Sequence, residues 1–515
     1  MQDYALTLDK LLDHAAKWHP RTEVVTALDD GITPRIGYAA LRERAKRVSA
    51  ALAGLGIGRG DRVATLAWNT QAHLESWYAI MGMGAVCHTL NPRLLADQLA
   101  WMVRQSEASV LIASADLAPL ARAIAAEAPH LGRVLVIDGD ADDPDESLDA
   151  LVEAAEGEVA WGGFDENTPC GLCFTSGTTG APKGVTYTHR ANYLHTLRQL
   201  QADVTGMTSR DVVLPVVPMF HANAWGLPFA APATGAKLVL PGRHADGASL
   251  AKLIAGEGVT IAVGVPTVWL GLFDHLDASG AELPSLERIM VGGAPMPPAL
   301  MARIEERGVE VQTTWGMTEL SPLGTATPPA AKPRDPSRSG RPAQGMDLLL
   351  TDHAGDPLPE QRGTEGHLWV RGPSVVARYF GQDELATKGG WFDTGDLATI
   401  DEAGYLQITG RSKELIKSGG EWINPAEIEA LVASLPEVAL AAVIGRADPK
   451  WGERPLLLVE LREDASPSDE ELVAPLQGRV ANWWVPDAIV RLDRMPLAAT
   501  GKIDKLRLRT EYSRA

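Results

Sequence analysis

Thr175-Ser176-Gly177-Thr178-Thr179-Gly180-Ala181-Pro182-Lys183-Gly184 is the stretch whose reading decides the fold. It gathers four hydroxyl residues and three glycines around one lysine. Glycine tolerates positive φ, so such a loop can bend tightly. Its N–H and hydroxyl groups can then converge on one anionic oxygen, with Lys183 adding positive charge. The apolar run 170–174 before it reads as a short buried strand feeding the loop. A polar surface turn has the same composition, so the rest of the chain must decide. The Walker pattern is excluded, because Lys183 follows Ala-Pro and precedes Gly184.

Outward from the loop, helical and strand periodicities alternate. Residues 38–55 have helical spacing and stop at Gly54, Gly56 and Gly58; 62–68 is strand-like, 71–83 helical and 85–90 strand-like. Further strands are expected at 109–113, 133–138, 237–240, 260–263 and 288–291. This alternation implies a mostly parallel sheet covered by helices. No register of the glycines from 54 to 60 fits a dinucleotide fingerprint. Residues 328–342 read as a loop, and 367–371 and 398–400 as strands.

From Glu414 a compact tail has its own alternation: 425–433 helical, 438–444 and 456–461 strands, then 470–484 helical. It holds 15 basic and 17 acidic residues from Arg411 on, against 32 and 49 before it, which is consistent with a domain boundary at 410–414. The expected fold class is α/β: a large N-terminal domain of helix-covered sheets over 1–410, a hinge at 411–413, and a small mobile α+β domain over 414–515.

At 515 residues the chain is too long for one ordinary core. The formal charge of −19 argues against a nucleic-acid partner. Cys87, Cys170 and Cys173 are too few for a disulfide framework, and the C-x-x-C of the last two reads as two buried thiols in a strand. No apolar stretch is long enough to span a bilayer and no secretory signal is visible, so a cytoplasmic location is expected.

Four more segments follow in order: 313–319 (Thr-Thr-Trp-Gly-Met-Thr-Glu), 391–397 (Trp-Phe-Asp-Thr-Gly-Asp-Leu), 409–422 around Arg411, Lys413 and Gly419-Gly420, and 499–502 (Ala-Thr-Gly-Lys). Each alone has a bland reading as core aromatic, turn Asp or solvated charged turn. Together with the loop at 175–184, their order resembles the adenylate-forming enzymes: acyl- and aryl-CoA synthetases, luciferases and peptide-synthetase adenylation domains.

That resemblance implies ATP, Mg²⁺ and the substrate CoA as small-molecule partners beside a carboxylic acid. It implies Lys502, Glu319, Lys413 and His221 as catalytic residues. ATP would lie against Thr175, Ser176, Gly177, Thr178, Thr179, Gly180 and Lys183, then Gly293, Ala294 and Pro295. It would also meet Thr314, Trp315, Gly316, Met317 and Thr318, and finally Asp396, Ile408, Arg411 and Lys502. Within this set Trp315 stacks on adenine, Asp396 takes the ribose diol as a bidentate acceptor, and Thr175 and Glu319 serve the metal. Lys417, Gly419, Gly420 and Trp422 would line the CoA path.

The acyl pocket implied by resemblance comprises His221, Trp225, Val265, Met317 and Leu320. His221 stands where amino-acid-activating relatives carry an Asp, which would leave an α-ammonium unpaired. The strings 66–69, 87–93, 218–226 and 416–423 resemble medium-chain fatty acid–CoA ligases and 3-methylmercaptopropionate–CoA ligases. Residues 325–345 form a shorter region than in those relatives. An aryl- or cinnamate-type CoA ligase and a luciferase-like oxygenase remain alternatives, and a homodimer is compatible with the resemblance.

Overall fold

A computed structural model describes residues 1–28, 33–141, 143, 146–175, 182–418, 421–498 and 501–513. Among these residues the strands form four sheets. A nine-stranded sheet has at its centre the parallel strands Glu310–Gly316, Arg288–Val291, Ile261–Gly264, Val212–Pro215, Lys237–Leu240 and Glu23–Thr26. A six-stranded sheet runs Arg133–Ile137, Val110–Ser114, Arg62–Leu66, Val86–Thr89, Pro169–Phe174 and Gly184–Thr188, the last pair antiparallel.

Helices cover both sheets, so the central strands are apolar throughout rather than alternating. Ile261–Gly264 and Val86–Thr89 are buried along their whole length. Helix ends follow local chemistry. Thr70 accepts from the His73 N–H at 3.2 Å to start Gln71–Gly82. Asp246 accepts from Ser249 N–H at 3.0 Å to start Gly247–Glu257, and Gly258 at φ 67° ends it. Cys170 and Cys173 are buried in the strand Pro169–Phe174, as free thiols.

A five-stranded antiparallel sheet follows. The expected short strand at 398–400 is the end of a longer one, Trp391–Ile400, which pairs on one side with Gly366–Arg371 and on the other with Leu406–Arg411. Residues 412–415 then lead to the last sheet, in which Ile416–Ser418, Glu421–Ile423, Val438–Asp448, Gly452–Leu461 and Ala488–Leu492 pack against the helix Pro425–Val432. The helix expected over 470–484 is broken. Ser468 and Glu471 form a capping box that starts Asp469–Val473, and only 3₁₀ turns follow, at Ala474–Leu476 and Asn482–Trp484. Pro475 has no N–H to extend the ladder, and Gly478 turns the chain at φ 68°.

The architecture is α/β: a large N-terminal part of helix-covered sheets and a smaller C-terminal α+β part.

Candidate active site

Open α/β sheets bind ligands beyond the carboxyl ends of their strands. The candidate residues collect there. Val265 follows Ile261–Gly264, Gly293 follows Arg288–Val291, Met317 follows Glu310–Gly316, and His221 comes after Val212–Pro215. Ala294 and Pro295 continue the loop from Gly293.

The phosphate-type loop is closed at its base. Thr175 N–H donates to the Lys183 carbonyl at 2.9 Å, and Lys183 N–H donates to Thr175 Oγ1 at 3.3 Å. Ser176, Gly177, Thr178, Thr179 and Gly180 lie outside the described residues, as do Gly419 and Gly420. Gly184 is required where it stands: a Cβ there would lie 2.8 Å from that of Phe380, whose N–H donates to the Gly184 carbonyl at 2.7 Å.

Glu319 sits on the 3₁₀ turn Thr318–Leu320 and is 8% exposed. Tyr379 Oη donates to its Oε1 at 3.0 Å, and the Lys183 ammonium lies over the face of the same Tyr379 ring. Burial raises the Glu319 pKa; hydrogen bonding by its own backbone and the Tyr379 hydroxyl, with Arg411 and Lys183 charge, offsets part of this. Among the described residues no group of three or more His, Cys, Asp and Glu could hold a metal ion. One buried carboxylate near the Lys183 ammonium nevertheless fits Mg²⁺, which is commonly held by one or two carboxylates and the phosphates of its substrate.

Asp396 is the hub on the opposite side. It is 1% exposed, and each carboxylate oxygen already has a partner. Trp315 Nε1–H donates to Oδ2 at 2.9 Å, and Arg411 Nε forms an ion pair with Oδ1 at 2.7 Å. Burial raises the Asp396 pKa, and Arg411, Trp315 and Lys502 counter it. Ile408, half-buried, lies on the strand that carries Arg411. Thr314 is committed to the fold through its Oγ1–H, which donates to the Val291 carbonyl at 2.9 Å. Gly316 admits no side chain, since a Cβ would fall 2.1 Å from the Pro322 carbonyl.

Lys502 enters this group from the C-terminal part. Gly501 N–H donates to the Ala498 carbonyl at 2.8 Å, and the Gly501 carbonyl accepts from Thr267 Oγ1 at 2.9 Å. The lysine tail passes over Gly293, where an added Cβ would lie 3.2 Å from Lys502 Cε and 3.5 Å from Val265 Cγ1. Burial, with the nearby Arg411 charge, brings the Lys502 ammonium down to about 8, while Asp396 and Glu414 act the other way. Burial and the Lys502 charge hold His221 at about 4, so its imidazole is neutral at neutral pH.

The backbone from Ala222 to Gly226 turns left-handed, with φ of 43°, 57°, 46°, 54° and 79°. Each non-glycine residue there costs roughly 1–2 kcal/mol. The Trp225 carbonyl accepts from Gln199 Nε2 at 3.0 Å, which helps hold the turn. It carries the Trp225 ring toward Gly292, whose added Cβ would be 3.1 Å from Cη2. Leu320 is fully buried and Met317 partly so.

Lys413, Lys417 and Trp422 are exposed on the C-terminal side. Lys417 and Trp422 face each other across a strand pair, with the ammonium 5.3 Å from the indole centroid. Sequence reasoning missed Tyr379, Thr267 and the pair that anchors Lys505, Glu414 at 2.7 Å and Glu429 at 2.9 Å. No spacing marks Thr267 or Lys505, and the sole signal for Tyr379 is its aromatic doublet with Phe380 in a loop.

A loop rich in glycine and hydroxyl residues, a buried carboxylate and a lysine reaching in from the C-terminal part stand where the resemblance to adenylate-forming ligases expects them. The chain belongs to the AMP-binding enzymes: the family signature matches residues 12–380, and that of the AMP-binding enzyme C-terminal domain matches 427–502. It is 43% identical to a 3-methylmercaptopropionyl-CoA ligase of Ruegeria lacuscaerulensis, over 100% of this chain and 99% of the relative. It is 40% identical to a medium-chain-fatty-acid–CoA ligase of Ectopseudomonas oleovorans, over 98% and 96%. The crystal structure of the anthranilate CoA ligase AuaEII with anthranoyl-AMP superposes with a TM-score of 0.89 at 25% identity, covering 99% and 98%. The protein is an ATP-dependent, adenylate-forming CoA ligase acting on a carboxylic acid.

Proposed function

We propose that the acid is an unbranched or thioether-bearing acid of roughly four to eight heavy chain atoms, using about 0.8 kcal/mol per buried methylene as the guide. The observation that carries this is the Trp225 ring tip set against Gly292. A bulky ring there leaves room for a short apolar tail and offers no partner for a charged one. The names of the methylmercaptopropionate and medium-chain relatives support the same class.

In this reading residues 1–410 bind ATP and acid, 411–413 form the hinge, and 414–515 move. Thr175, Lys183 and the loop between them bind the β- and γ-phosphates. Asp396 and Arg411 hold the ribose, and Trp315 lies at the base. Glu319 and Thr175 would hold Mg²⁺, which when bound neutralises phosphate charge as a Lewis acid. Lys502 orients the acid's carboxylate toward the α-phosphate and offsets the charge that builds there. Neutral His221 borders the acyl end without adding charge. Rotation at the hinge then withdraws Lys502 and presents Lys417, Gly419, Gly420 and Trp422 to CoA, whose thiol displaces AMP.

The test is AMP release, in the dark and with CoA, across acids from acetate to decanoate plus cinnamate, phenylpropionate and methylmercaptopropionate. A maximum at butanoate to octanoate or methylmercaptopropionate is expected. A maximum on hydroxycinnamates with butanoate and hexanoate inert would replace this reading with the aryl-CoA one.

A further inference from the structure

Asp396 and Trp315 come from different sheets. Asp396 lies on Trp391–Ile400 of the five-stranded sheet, in register with Arg411. Trp315 lies near the end of Glu310–Gly316 in the nine-stranded sheet, where the register shifts between Trp315 and Gly316. The 2.9 Å bond from the indole N–H to Asp396 Oδ2 therefore ties the two sheets together inside the site. The ring is fixed from behind: an added Cβ on Gly324 would lie 2.6 Å from its Cζ3, and Leu320 packs on the same position.

The two partners of Asp396 differ in permanence. The Arg411 side chain is 48% exposed and is the first residue of the proposed hinge, so a turn of the small domain would free it. Trp315 is 8% exposed and belongs to the large sheet. A carboxylate has about four lone-pair sites. The indole N–H takes one of these on Oδ2 and the Arg411 guanidinium pairs with Oδ1, so each oxygen keeps a lone pair for one donor of a ribose diol. Turning the carboxylate about its Cβ–Cγ bond would lose that match, and the indole N–H opposes the turn.

We propose that Trp315 is a positioning residue: its N–H holds the Asp396 carboxylate so that one free lone pair per oxygen meets the 2′- and 3′-hydroxyls of ATP, and it thereby sets the preference for ribose over 2′-deoxyribose nucleotides. The inference rests on the reading of Asp396 as the ribose carboxylate.

The experiment compares kcat/KM for ATP and 2′-deoxyATP at saturating acid and CoA, with thermal unfolding as a check on folding. Trp315→Phe keeps an aromatic face and removes the N–H. Its ATP-to-deoxyATP ratio should fall by about tenfold, the scale of one hydrogen bond to a charged group, with KM for the acid unchanged. Trp315→His, whose Nε2–H can take the indole position, should recover part of the ratio. Equal losses on both nucleotides, or a His variant no better than Phe, would overturn the proposal. Asp396→Asn separates the two ideas. A ratio collapsed in Asn but intact in Phe overturns the positioning role alone; a ratio intact in Asn overturns the ribose reading and the inference with it.

Discussion

The ammonium of Lys183 lies 4.7 Å from the ring centroid of Tyr379. The same tyrosine donates to Glu319, so one side chain meets both the lysine of the 175–184 loop and the carboxylate proposed for Mg²⁺. Tyr379→Phe keeps the cation–π face and removes the donor. The Mg²⁺ concentration for half-maximal adenylation should rise about tenfold, the scale of one hydrogen bond to a charged group. A Mg²⁺ titration at fixed ATP checks this, and an unchanged midpoint would detach Tyr379 from Glu319's role.

Lys502→Ala should slow adenylate formation by at least roughly 100-fold, the scale of one preorganised electrostatic contact. It should largely spare thioester formation from supplied acyl-adenylate. The wild-type ammonium is held down to about 8, so its charged form is lost as pH rises through that value. The adenylation half-reaction should therefore decline above about 8, and Lys502→Arg should move that limb upward because guanidinium stays charged. Equal losses in both half-reactions would make Lys502 a structural residue.

Lys413 lies in the 412–415 connection between two sheets, exposed and followed by Glu414, which Lys505 fastens to the C-terminal part. In the proposed two-domain reading this pair would confine rotation to the residues just before Glu414. Proline fixes φ and removes an N–H. Lys413→Pro should let the adenylate form while impairing CoA transfer. Single-turnover measurement of each step decides, and unimpaired thioester formation would move the hinge elsewhere.

Trp225→Ala opens space beside Gly292. The kcat/KM optimum should move to longer or aromatic acids, with about 0.8 kcal/mol gained for each further methylene buried. Activity profiles of both proteins on one acid panel check this, and an unshifted optimum would place the end of the pocket elsewhere.

The fold was legible where periodicity was strong. The strands 237–240 and 288–291 stand where their apolar runs predict. The segment 470–484 misled because its helical spacing outweighed Pro475 and Gly478, which stop the ladder. The site's motifs were legible as spaced glycines, hydroxyls and charges, since their chemistry needs those residue types. What braces them was not. Thr267 meets Gly501 across 234 positions of sequence, and Tyr379 meets Glu319 across 60. Such pairings depend on how sheets stack, and local spacing carries no record of that. Trp315 reads in sequence as a flat ring for a base, and its N–H to Asp396 emerges only when two sheets meet.

The left-handed turn at Ala222–Gly226 inverts the ordinary scale of helical preference. In a right-handed helix alanine is the favoured residue and glycine costs about 1 kcal/mol more. At φ of 43° and 46°, Ala222 and Ala224 hold a conformation in which glycine is at ease and alanine is not. Mutational profiles across these positions should thus run backwards, with glycine raising stability where folding rules for helices would expect a loss.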